Sequence, residues 1–537
     1  MIRRPGAGGG PPRQFTVSDA QNFLKRGYAA LNRRDFKEAG ACCQLILKYM
    51  PKMAEAHFLI GLIGIETRDW GTATRAFKNV VSLKEDHVAG WAQLARAFVT
   101  SGQYANAENA LKRAEALPTQ DPLVMDVIGT VHSLLGDQPA ALDWYDKAAE
   151  ASDSPIYELS RAKALTFLGK LDEADAALAR VLEVRPDASQ AHWMKSRLKK
   201  ATSEQHINEM QALVANTPDI SEAASFLNYA IGKEYEDLQE WDKAFDHYAR
   251  GAKARRAAIS FDEQAEIEMF DALAETFDQG WFDQAGAGHD DNSPIFIVGQ
   301  PRTGTTLIER IIAAHSDVSS AGELQQFAMS IKRLSGVVSP KPMTAEIVRK
   351  AATIDPAELG RMYLHTTRTL RGDAAHFVDK MPVNYLYVPL IAAALPNAKI
   401  IHVTRNPMDS CFSSFKQLFA DAYYHSYELE EMARHHVRYR SLMAVWNKLL
   451  GDRMLTVSYE KTVEKTEVSA RDIMNYLSLN WQKSVLNFFE QETSVTTASA
   501  AQVREKAHTR SVGLWQRYAK QLEPARKILA EADMLSE

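Results

Sequence analysis

Residues Gly299 to Thr306 read Gly-Gln-Pro-Arg-Thr-Gly-Thr-Thr, a run suited to holding an anion. Gly304 permits close backbone approach. The planar guanidinium of Arg302 can grip two oxygens of a phosphate or sulfate at once. Thr303, Thr305 and Thr306 add hydroxyls. The apolar run Ile295-Phe296-Ile297-Val298 before the loop reads as a buried strand. After it, Leu307, Ile308, Ile311 and Ile312 form one face of a helix, whose N-terminus adds N–H groups and partial positive charge. A nucleoside-triphosphate loop would read G-x-x-x-x-G-K-[ST]. Counting from Gly299, the second glycine falls in register at Gly304, but Thr305 stands where the lysine belongs. Grip on a triphosphate's γ-phosphate is therefore disfavoured, and a small-molecule kinase is the lesser reading. GxGxxG is absent, so nicotinamide dinucleotides lack support. A plain strand–helix turn would not need so polar a run.

Such a loop needs a sheet behind it. Further strands are expected at His376-Phe377-Val378, at Lys399–Thr404 after the Pro396-Asn397 turn, and at Met454–Val457. Helical stretches near 341–352, 356–371, 384–395 and 428–449 separate them. This alternation predicts a P-loop-like α/β domain with a mainly parallel sheet over 293–537.

The first half has another period. Gly27, Gly61, Ala95 and Gly129 lie 34 residues apart, each followed twelve residues later by a second small residue: Ala39, Ala73, Ala107 and Ala141. Ala162/Ala174 and Gly232/Ala244 keep the spacing of twelve. Small residues on both members of an antiparallel helix pair let the axes approach, and stacked pairs bury what one pair cannot. The period resembles the tetratricopeptide repeat. Five repeats are expected over 20–188, a poorly matched stretch over 189–222, and a sixth repeat over 223–256. The organisation is thus α plus α/β: a tail over 1–16 expected to be disordered, an all-helical solenoid over 17–257, a helical linker and loop over 258–292, then the α/β domain. The linker is expected to be helical from Ala258 to Phe282. The solenoid is expected to hold a peptide or protein partner in its groove; a spacer or homodimer surface is the plainer alternative.

Composition bounds the partners. The 537 residues carry 68 acidic and 63 basic side chains, a net charge of −5, so a broad nucleic-acid surface is disfavoured. Cys42, Cys43 and Cys411 cannot build a disulfide framework, and a reducing, cytoplasmic setting is the default. No run of 18 apolar residues marks a membrane span.

The segment Ile297–Leu307, IVGQPRTGTTL, resembles the 5′-phosphosulfate loop of sulfotransferases that use 3′-phosphoadenosine 5′-phosphosulfate (PAPS). Arg405–Ser413, RNPMDSCFS, is similar to their 3′-phosphate segment, with Arg405, Pro407 and Ser413 on the pattern. The nearest subgroup is the protein-tyrosine sulfotransferases, with bacterial proteins that join helical repeats to such a domain. The resemblance covers about 293–520. It implies PAPS as cosubstrate and a hydroxyl acceptor: a protein tyrosine, a sugar, a lipid or a small molecule. An inactive scaffold is the alternative. It implies Glu323 as catalytic base, with His315 and His402 as rivals and a helix-capping role as the plain alternative. Lys380 is implied as the cation on the sulfuryl group, against a salt bridge with Asp379. The same resemblance implies that Arg302 would hold the 5′ end and share in catalysis. It implies that Arg405 and Ser413 would take the 3′-phosphate, with Ser410 and Lys416 as helpers; an ion pair with Asp409 is the alternative for Arg405. Tyr459 and Ser499 are implied near the nucleotide. The family's further cation, four residues after Ser413, is Gln417 here, with Lys416 as substitute. Its lysine before a tryptophan is Leu514 before Trp515, and Arg504 or Arg510 is expected nearby. The scheme needs no metal, and no His/Cys/Asp ligand spacing suggests one.

Overall fold

A computed structural model describes residues 15–339, 341–419, 422–491 and 504–535. The chain forms two compact units, Met1–Ser152 and Asp153–Glu537. Among the described residues no helix is long and apolar enough to cross a membrane. The three cysteines are free and buried.

The first unit is four helix pairs: Val17–Asn32 with Phe36–Tyr49, Ala54–Glu66 with Trp70–Leu83, Val88–Thr100 with Tyr104–Glu115, and Pro122–Leu134 with Gln138–Ala151. The small residues act as expected. A Cβ on Gly61 would fall 2.4 Å from the Phe77 ring, and one on Gly129 would fall 2.8 Å from Tyr145. The polar turns are capping devices. Asp35, Asp69 and Asp137 accept from the N–H groups of Glu38, Thr72 and Ala140 and start the second helix of the first, second and fourth pairs.

The second unit contains helices Pro155–Leu168, Leu171–Val184, Ser189–Ser196, Gln205–Val214, Glu222–Asp237 and Trp241–Ala257. The last pair, the sixth repeat, packs against the α/β part through Tyr229, Tyr248, Phe412, Phe415 and Tyr518. Tyr229 donates to the Phe415 carbonyl at 3.0 Å. The linker is two helices, Glu263–Thr276 and Gln279–Gln284, rather than one over 258–282. Asp262 and Asp278 each accept from the N–H three residues on, so each begins a new helix.

The sheet has strands β1 (Pro294–Gly299), β2 (Val318–Ser320), β3 (His376–Asp379), β4 (Lys399–Thr404) and β5 (Met454–Ser458). All pairings are parallel, in the order β2-β3-β1-β4-β5. Alternate residues of the central strands feed two cores. Phe296, Val298, Phe377 and Ile400 face Tyr363 and Trp446, while Ile295, Ile297, Val378 and Ile401 face Ile308, Ile311 and Ile473. From β1 the chain goes to the β2–β3 side, then crosses to β4. The crevice at the C-terminal ends of β1 and β4 is therefore the topological switch point, where open α/β sheets bind ligands.

Candidate active site

Two loops flank that switch point. The first runs from Gly299, paired with Val403, to the helix Thr305–Ala313. It turns sharply: Gly299, Arg302 and Gly304 all have positive φ (153°, 68° and 95°). Arg302 pays about 1–2 kcal/mol for that geometry. The Thr303 hydroxyl, buried, donates to the Gln300 carbonyl at 2.7 Å and closes the loop. Gly304 is the helix N-cap and supplies no capping side chain. Thr305 and Thr306 are buried in the first turn.

The second loop follows β4. Asn406 accepts from the N–H groups of Met408 and Asp409 and caps the helix Pro407–Phe415. Arg405, just before, donates to the Arg302 carbonyl at 2.9 Å and to the Ser413 hydroxyl at 3.0 Å. The fold thus joins the residues of the two motifs directly. Arg405 also donates to the Ser511 carbonyl at 2.6 Å, and its guanidinium lies 4.8 Å from the Tyr459 ring centre. Tyr459 packs its ring against Gly304, and its hydroxyl is 2.8 Å from the Ser511 hydroxyl. Asp409 does not pair with Arg405; it accepts from the N–H groups of Gly513 and Trp515 at 2.6 and 3.0 Å. Burial, then Arg197, then Arg405 pull the Arg302 pKa down to about 10.

A second cluster sits beside the loop helix. The continuation of β2 pairs with β3: Ala321 N–H donates to the Val378 carbonyl and Lys380 N–H to the Gly322 carbonyl, at 2.9 and 2.8 Å. Gly322 (φ 71°) turns the chain so that Glu323 meets the Lys380 ammonium. Lys380 is fully buried, and its ammonium is also 3.8 Å from Glu309, one turn along the loop helix from Thr305. Burial pulls the Lys380 pKa down, but Glu323 and then Glu309 more than offset this and hold it above the usual lysine value. Burial raises the Glu309 pKa, and Ser320 donates to it at 2.6 Å. Asp379 is no partner for the ammonium in the way its neighbour position suggests: its carboxylate accepts from Tyr363 at 2.9 Å. Glu323 precedes the next helix, Gln326–Ser335, whose N-cap is Gln325, so it is no cap.

The rival bases are committed elsewhere. His315 meets the Asn480 carbonyl at 2.9 Å and the Asp317 N–H at 3.1 Å. His402 is buried against the Tyr439 hydroxyl at 2.6 Å, with its pKa pushed down to about 3 by burial. Lys416, expected as a phosphate helper, instead pairs with Glu236 of the sixth repeat at 2.6 Å. Ser410 is fully buried. Arg504 donates to the Phe167 carbonyl at 3.0 Å, and Arg510 pairs with Glu505. Ser499 lies outside the described residues. Sequence reasoning missed Glu309 and Ser511. An acid four residues after Thr305, on the same helix face, was the available signal for Glu309; Ser511 had none.

Glu266, His425 and His435 also come together. Glu266 is 2.9 Å from His435 and 3.4 Å from His425, and it binds Arg438 at 2.5 Å. The two imidazoles are stacked 3.5 Å apart, 11° from parallel. Each ring's lone pair lies in its own plane, so near-parallel planes do not converge on one ion.

Residues 294–483 match the sulfotransferase family, and residues 92–155 the tetratricopeptide repeat. An uncharacterized protein of Aquifex aeolicus (strain VF5) is 29% identical over 377 residues, 68% of this chain and 49% of that protein. This chain thus spans about half the length of that relative. A putative protein-tyrosine sulfotransferase of Caenorhabditis briggsae is 25% identical over 41% of this chain and 80% of that protein. Protein-tyrosine sulfotransferase 1 of Danio rerio is 24% identical over 36% of this chain and 56% of that protein.

Proposed function

We propose that this chain, which joins tetratricopeptide-type repeats to a sulfotransferase-family domain, moves the sulfuryl group of PAPS to a hydroxyl acceptor. The observation that carries the reading is the direct bonding of the two phosphate motifs: Arg405 to the Arg302 carbonyl and to Ser413, at the sheet's switch point. The relatives' names favour a protein tyrosine as acceptor, and the repeats would hold the protein that carries it.

The donor brings a sulfuryl group on a phosphate that leaves readily. Arg302, Thr303, Gly304, Thr305 and Thr306 hold its 5′ end, where guanidinium and helix dipole meet negative charge. Arg405, Ser413 and Tyr459 hold the nucleotide's 3′ side. Glu323 takes the acceptor's proton as its oxygen bonds to sulfur. The bond from sulfur to the bridging oxygen breaks, and adenosine 3′,5′-bisphosphate departs with the electron pair. Lys380, kept charged by Glu323 and Glu309, offsets the negative charge that develops on the sulfuryl oxygens. Charge placement of this kind suffices for a loose, in-line transfer, and the scheme uses no metal.

The test is transfer of labelled sulfate from PAPS to a tyrosine peptide and to a panel of sugar and lipid hydroxyls. Glu323→Gln should lower turnover by about 10²–10⁴-fold while adenosine 3′,5′-bisphosphate binds as before. Absence of transfer by the parent protein, or full activity in Glu323→Gln, refutes the reading.

A further inference from the structure

The phosphate site draws on the α/β part alone, yet a third arginine, from the helical repeats, meets Gln417 just after Ser413. Arg197 follows the helix Ser189–Ser196 in the stretch that matched the repeat pattern poorly. Its guanidinium lies 4.7 Å from the Trp193 ring centre and comes within 3.5 Å of the Gln417 amide oxygen. Gln417 stands four residues after Ser413, where the resemblance expects a cation. The amide of Gln417 also donates to the Leu418 carbonyl at 2.9 Å, which aims its oxygen at Arg197.

We propose that Arg197 is a donor-binding residue, supplying to the 3′-phosphate of PAPS the positive charge that Gln417 lacks. This rests on the reading of Arg405 and Ser413 as the 3′-phosphate site. The three guanidinium groups come from three separate stretches, and Arg197 bears on Arg302 more strongly than Arg405 does. Burial brings Arg197 itself to a pKa of about 10, still charged at neutral pH. Like charges gathered this way raise one another's cost, and a multiply charged phosphate repays it. The substitution at Gln417 is thereby compensated from another part of the chain. The poorly matched stretch of the repeat region becomes part of the nucleotide pocket, not a spacer before it.

The experiment is calorimetric titration of the full chain with adenosine 3′,5′-bisphosphate and, separately, with AMP. Arg197→Ala should weaken bisphosphate binding by about 10- to 100-fold, the scale of one lost charge-assisted hydrogen bond. AMP binding should stay within about threefold, the size of an indirect effect. Gln417→Arg placed in that background should recover most of the loss. If Arg197→Ala fails to fold, Arg197→Gln carries the same comparison. An unchanged bisphosphate affinity, or an equal loss for both ligands in a folded variant, overturns the proposal. Arg405→Ala separates the two failures. If it loses the bisphosphate selectively and Arg197→Ala does not, only Arg197 is misassigned. If neither discriminates, the donor assignment falls as well.

Discussion

Gly304→Ala is the sharpest structural perturbation of the loop after β1. Gly304 has φ 95°, where an L-residue pays about 1–2 kcal/mol. Gly336, at the end of another helix, has φ 68° and nothing within 4 Å of an added Cβ. An alanine there pays the backbone cost alone. At Gly304 the new Cβ would lie 2.4 Å from Tyr459 Cδ2 and 3.1 Å from Cε2, so the ring must move. Moving it strains the hydroxyl contact with Ser511, worth about 1 kcal/mol. It also strains the stacking with Arg405, worth about 0.5–1 kcal/mol. Gly304→Ala should therefore cost about 1.5–2 kcal/mol more than Gly336→Ala. Urea unfolding of both variants, followed on the same transition, measures the difference as a shift in midpoint. Bisphosphate affinity should fall in Gly304→Ala only. Equal midpoints and equal affinities would refute the placement of Tyr459 over the loop.

Two other outcomes follow from the buried charges. Glu309→Gln keeps an acceptor for Ser320 but removes one of the acids that hold the Lys380 pKa up, the largest contributor after Glu323. The alkaline limb of the pH–rate profile should move to lower pH, with the acceptor KM little changed; an unmoved limb contradicts the role given to Glu309. Asp379 is held by burial at a pKa of about 7, against about 3.9 in an unfolded chain. Between those values the folded protein keeps a proton the unfolded chain has lost, so its contribution to stability falls as pH rises from about 4 to about 7. Asp379→Asn, which removes that penalty, should compare more favourably with the parent in urea at pH 8 than at pH 4. A pH-independent difference would count against it.

The strands that were legible were apolar and continuous, as in Ile295–Val298 and Lys399–Thr404. β2 was missed because Val318-Ser319-Ser320 is short and polar; it is a strand only because β3 pairs with it. Glycine and alanine spacing revealed the repeats because it directly reflects how closely two helices pack. Arg302, Glu323, Lys380, Arg405 and Tyr459 are named as candidates from motifs that lie close in sequence. What those side chains touch could not be read there. Arg405 meets Ser511, 106 residues on, and Lys416 is taken by Glu236, 180 residues earlier. Such pairings depend on where the repeats dock, which local pattern does not encode. The break of the linker helix was readable in principle, since Asp278 is a capping residue.

The docking of the sixth repeat separates the boundary of family resemblance from the boundary of folding. The match begins at residue 294, but the compact unit begins at Asp153. A fragment trimmed to the match would cut Tyr229 from Phe415, Glu236 from Lys416, Arg256 from Glu431 and Glu263 from Arg434. It would bare the aromatic face of Phe412 and Phe415, which the later repeats and Tyr518 cover in the full chain, to water, a surface prone to self-association. Anyone wishing to isolate the α/β half should therefore carry the later repeats with it, as one would keep a keystone with its arch.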